Sequence, residues 1–85
     1  MTAPERIEQM ILDLVTGSGP GRSICPSEVA RALDPEWRRL MTPVRDASVR
    51  LAKAGRIDIL RKGKPVEPAD VKGVIRLRQR PGDAA

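Results

Sequence analysis

The apolar rhythm of the chain changes once, at Gly55, and that change constrains the fold more than any other feature. Before it, apolar residues recur at helical spacing. Ile7, Met10, Ile11 and Leu14 fall at i, i+3, i+4 and i+7, with Val15 at the margin of that face and Leu12 directed elsewhere as a stray surface residue. After it they alternate: Ile57 and Ile59 share one side of a strand from Arg56 to about Lys62. Ile75 and Leu77 do the same between Val74 and Arg80, while Val74, Arg76 and Arg78 point the other way. Helices followed by a pair of strands define an α+β domain. Eighty-five residues suffice for one such domain over residues 1–80, with residues 81–85 left as a flexible C-terminal tail.

Prolines and capping residues divide the helical part. Thr2 and Glu5 have the spacing of a capping box that opens the first helix, and the stretch from Gly17 to Gly21, with three glycines and a proline, ends it as a loop. Ser23, Ile24 and Cys25 form a minimal strand. Pro26 then suits the first position of a short second helix, and Glu28, three residues beyond Cys25, reaches back to its start. Val29, Ala30 and Leu33 share its inner face, and it stops by Asp34 because Pro35 disfavours helical geometry in the residue before it. Asp34, Pro35 and Glu36 restart helix for a turn or two through Trp37 and Met41, and Trp37 is expected in the core. Thr42 and Pro43 repeat the device and open a longer helix to Ala54, closed by Gly55. Val44, Ala47, Ser48, Leu51 and Ala54 lie on its core side, and Arg45, Asp46, Val49, Arg50 and Lys53 on a mostly basic side. Residues 63–73 are too many for a tight hairpin and predict a projecting basic loop.

Helix, short strand, helix, helical turn, long helix, strand, loop, strand is the order of a winged helix-turn-helix: three main helices, a short extra turn and a small antiparallel sheet with a β-hairpin wing. The strings Pro26-Ser27-Glu28-Val29-Ala30, Trp37-Arg38-Arg39-Leu40-Met41, Val44-Arg45-Asp46-Ala47, Leu51-Ala52-Lys53-Ala54-Gly55-Arg56-Ile57 and Arg61-Lys62-Gly63-Lys64-Pro65-Val66 resemble the bacterial domain of unknown function family 3253. The resemblance covers about residues 5–80. It implies a winged-helix fold and carries no biochemical activity with it.

Residue types exclude most chemistry. The chain has no His, Tyr or Phe, one Trp and one Cys, so no acid–base pair, metal cluster or activated nucleophile can be assembled, and an enzyme is not expected. No metal and no cofactor is implied. Cys25 lacks a base and a resolving partner and reads as a small buried or capping residue. Glu67 and Asp70 are too few for calcium or magnesium, and Gly17, Gly19 and Gly21 precede no phosphate-loop lysine. Glu5, Glu8 and Asp13 interrupt anything like a signal peptide's apolar centre, and no run spans a membrane, so a cytoplasmic location is expected.

Charge supplies the functional expectation. Residues 1–55 carry eight cations and seven anions, whereas residues 56–80 carry eight cations and three anions. Arg56, Arg61, Lys62, Lys64, Lys72, Arg76, Arg78 and Arg80 would flank a hairpin able to lie along a phosphate backbone. Arg45, Val49, Arg50 and Lys53 would face a major groove, with Arg38 and Arg39 near a strand backbone. Asp46 opposes that use of the helix, and the helix lacks the Asn or Gln that reads adenine. A scarcity of aromatic residues disfavours single strands. The expected partner is double-stranded DNA, bound by a monomer or weak dimer in transcriptional regulation or an accessory role, along one continuous electropositive surface. The alternative is an adaptor whose hairpin cations bind an acidic protein surface.

Overall fold

The computed structural model describes residues 3–19, 21–71 and 73–80, without the side chain of Asp70. The expectations for Thr2, Lys72 and the 81–85 tail lie outside the described residues.

Three helices pack on one face of a four-stranded antiparallel sheet, whose strands β1 (Ser23–Ile24), β2 (Ile57–Arg61), β3 (Lys64–Pro65) and β4 (Arg76–Gln79) lie in the order β1-β4-β2-β3. α1 (Pro4–Ser18) starts with Pro4 at its first position, where a missing N–H costs nothing. Its buried residues are Ile7, Ile11 and Val15, so the inward axis runs through Val15, and Met10, Leu14 and Leu12 are half-buried beside it. Leu12 is therefore no stray surface residue. The helix also continues through Gly17 and Ser18, beyond the expected loop boundary. One helical glycine costs only about 1 kcal/mol relative to alanine, and Gly19, at φ +93°, supplies the stop.

β1 (Ser23–Ile24) leads into α2 (Pro26–Leu33), where the Glu28 carboxylate accepts the Cys25 N–H at 2.6 Å. Cys25 is the half-buried cap residue. Asp34 ends α2, and its Oδ1 accepts the Glu36 N–H at 2.8 Å to start the next turn. That turn is 3-10 (Trp37–Leu40) and runs directly into α3 (Met41–Lys53), two residues before the expected start. Thr42 is thus inside the helix. Pro43 sits in its first turn, where the N–H groups have no intrahelical acceptor, so proline need not mark a fresh boundary.

Val44, Ala47, Ser48 and Leu51 are buried, and the Ser48 hydroxyl donates to the Val44 carbonyl at 2.8 Å. Ala54 is exposed, because the helix has already ended there. Its end is a Schellman motif: Arg56 N–H bonds Leu51 O at 2.9 Å and Gly55 N–H bonds Ala52 O at 3.0 Å, with Gly55 at φ +76°.

β2 (Ile57–Arg61) pairs with β4 (Arg76–Gln79) along its length, setting Ile59 opposite Leu77 and Asp58 opposite Arg78. Ile57, Ile59, Ile75, Leu77 and Ile24 close the core from below, while Leu60, of opposite parity, is buried outside the main cluster. Residues 63–73 do not form one projecting loop. The chain reverses at Lys62 and Gly63, both with positive φ (53° and 80°), as a type I′ hairpin requires, and β3 (Lys64–Pro65) pairs back on β2. Val66 N–H then bonds Ile59 O at 2.9 Å. A 3-10 turn (Pro68–Asp70) packs against α3, and Val66 and Val71 join the core margin. Two valines draw the segment inward. Among the described residues, no helix is long and apolar enough to cross a membrane.

Candidate anion-binding surface

The return segment decides what α3 can offer. Arg45, Val49 and Ala52, at i, i+4 and i+7, turn toward it. The Arg45 guanidinium donates to the Gly73 carbonyl at 3.0 Å, Val49 and Ala52 are half-buried, and Ala52 lines a groove with Val66, Glu67 and Pro68. On the neighbouring stripe, Arg50 Nε bonds Glu8 Oε2 of α1 at 2.7 Å. Of the four residues expected in a groove, Lys53 alone is exposed without an ion-pair partner among the described residues. The expectation of a free basic helix face is corrected accordingly: charges that look solvated on an isolated helix are used to hold α1 and the return segment.

The sheet consumes two further arginines. Arg78 Nη2 lies 2.9 Å from Asp58 Oδ2, directly across the ladder, with both side chains about four-fifths buried, and its Nε is buried without an acceptor. Arg76, though exposed, donates from Nε to the Ser23 hydroxyl at 2.6 Å and from Nη2 to the Ser23 carbonyl at 2.8 Å, tying β4 to β1. Arg78 is therefore committed within the sheet, whereas both acceptors of the exposed Arg76 are neutral.

The remaining candidates fall in three places. At the hairpin tip, Arg61 and Lys64 are directly paired in register, Lys62 occupies the turn, all three are exposed, and none forms a salt bridge among the described residues. Arg61 and Lys62 line an open hollow with Gly73 and Val74, whose side chain is 82% exposed. At the far end of β2, Lys53 and Arg80 share the groove beside Pro65–Pro68. Arg80 lies over Gly55, against the negative end of α3. The third place is the turn before α3. Arg39 pairs weakly with Glu36 at 3.2 Å in full solvent, and Arg38 stacks on Trp37, its guanidinium carbon 4.5 Å from the ring centroid.

Trp37 is half-buried rather than a core residue, so the fully buried cluster is entirely aliphatic. Arg31 of α2, absent from the sequence-based candidates, stacks on the same indole, also at 4.5 Å. No sequence pattern marked it, since six residues and a chain reversal separate it from Trp37. The candidate cations thus sit on several elements, and the hairpin tip carries three that form no salt bridge among the described residues.

Two helices around a tight turn, backed by a small antiparallel sheet with a basic hairpin, define a small α+β domain of winged-helix-like layout. The family model described as "Protein of unknown function (DUF3253)" matches residues 4–80, and the chain belongs to that family. No curated protein matches it.

Proposed function

We propose that the domain binds double-stranded DNA through the phosphate backbone, led by the β2–β3 hairpin, without base-by-base reading from α3. The observation that carries this reading is the hairpin tip, where Arg61, Lys62 and Lys64 are exposed, unpaired among the described residues and fixed on a two-residue turn. Phosphate attraction needs only such charges, whereas sequence reading needs side chains free to enter a groove, and α3 has committed Arg45 and Arg50 elsewhere. Such a protein would act as an accessory or regulatory DNA-binding module in the cytoplasm, as a monomer or weak dimer, with no catalytic role.

Three phosphates neutralised predict a log–log salt slope of about −2.7. Titration of a random duplex between about 50 and 200 mM salt measures it. Replacing Arg61, Lys62 and Lys64 together by Glu is expected to abolish binding, and unchanged affinity in that variant would end this reading. The second reading, an adaptor for an acidic protein surface, is favoured by the internal use of Arg45, Arg50 and Arg78. Salt-insensitive or absent duplex binding selects it.

A further inference from the structure

Trp37 lies between two cations. Arg31 and Arg38 each place a guanidinium carbon 4.5 Å from the indole centroid. Two cations thus share one indole. Stacking satisfies the guanidinium plane and leaves its N–H edge free. Among the described residues neither group donates a hydrogen bond or forms a salt bridge. The domain therefore presents two planar forks, held in place by one aromatic ring, with their donors unspent. Ordering two long side chains in advance removes much of the entropy that an ion pair otherwise costs.

The surroundings select the partner. Over residues 26–41 the charges cancel, with Glu28, Asp34 and Glu36 against Arg31, Arg38 and Arg39. A polyanion is attracted by net positive potential, which the hairpin has and this region lacks. A discrete carboxylate is recognised by bidentate geometry at short range, which two oriented guanidinium groups supply. We propose that Arg31, Trp37 and Arg38 form a docking site for an acidic segment of a partner protein, separate from the hairpin and independent of whether the hairpin binds DNA.

Trp37 is the only aromatic residue of the chain, so its emission reports on this site alone. The probe is a 12-residue peptide of Gly and Ser carrying two adjacent glutamates and no aromatic residue, titrated into the full chain. A saturable change in Trp37 emission is expected. Arg31→Gln and Arg38→Gln should each weaken it about fivefold or more, Arg31→Lys should fail to restore it because ammonium lacks the fork, and Arg61→Gln/Lys62→Gln/Lys64→Gln should leave it unchanged. Thermal melting of each variant reads the structural role separately. The proposal is overturned by no saturable change up to about 1 mM peptide, a range that covers weak binding. It is equally overturned by lower stability of Arg31→Gln with unaltered peptide affinity, or by a random duplex whose binding falls as much in Arg31→Gln as in the hairpin variant.

Discussion

Gly55 holds φ +76°, a conformation that costs an L residue roughly 1–2 kcal/mol, and it sits where α3 must end and β2 begin. A Cβ there would also approach Arg80 Nη1 to 3.1 Å, but that contact is the far end of a flexible chain and can yield. Gly55→Ala is therefore expected to lower stability by about 1–2 kcal/mol and Gly55→Asn by less, as thermal denaturation would show. This position was legible in advance, because a glycine at the change of period has one common use. So was Glu28, whose carboxylate reaches the Cys25 N–H from a spacing that only helix geometry makes meaningful. Arg78 was not. Its partner Asp58 is twenty residues away and becomes a neighbour only through the register of β2 with β4. Alternation alone said that Arg78 faces away from Leu77, which is true, and that it faces solvent, which is not.

Elements were most readable where the backbone itself restricts them. Pro26 begins a helix, and Asp34 before Pro35 ends one. Pro43 misled, since the 3-10 turn from Trp37 already has a path that continues into α3 and needs no new cap. The hairpin is the larger discrepancy. Counting residues from Gly63 to Gly73 predicted a long loop, yet the reversal occupies Lys62 and Gly63 alone, and the rest returns as β3 and a 3-10 turn against α3. A lysine at φ 53° is a poor choice for the first central position of a type I′ turn, where asparagine is favoured. Lys62→Asn should therefore raise stability by roughly 0.5 kcal/mol while Gly63→Ala lowers it by about 1–2 kcal/mol, both read by denaturant titration. The same Lys62→Asn protein should bind duplex more weakly, since one of three tip charges is gone. Opposite signs for stability and binding would separate the turn's folding role from its proposed contact role.

For the whole molecule, the core is aliphatic throughout. Its largest fully buried side chains are isoleucines, Leu77 and valines, with Ile11 at 0% exposure under α2, α3 and the sheet. Truncating one of them opens a cavity worth about 2–5 kcal/mol. A domain of this length has a total stability of roughly 4–13 kcal/mol, so Ile11→Ala is expected to remove a large part of it and lower the melting temperature. Circular dichroism melting checks it, and a loss below about 1 kcal/mol would show a core far more plastic than this packing implies.

Local chemistry along the chain was enough to determine the α+β class, the three helices, the two main strands and the excess of positive charge after Gly55. Periodicity, proline and glycine act within a few residues and survive without tertiary context. Which cations remain available was decided by the fold. Arg45, Arg50, Arg76 and Arg78 meet acceptors 20 to 53 residues away, while Arg31 and Arg38 meet over Trp37. A charge is a property of a residue, but its freedom depends on what the packed chain brings within hydrogen-bond reach.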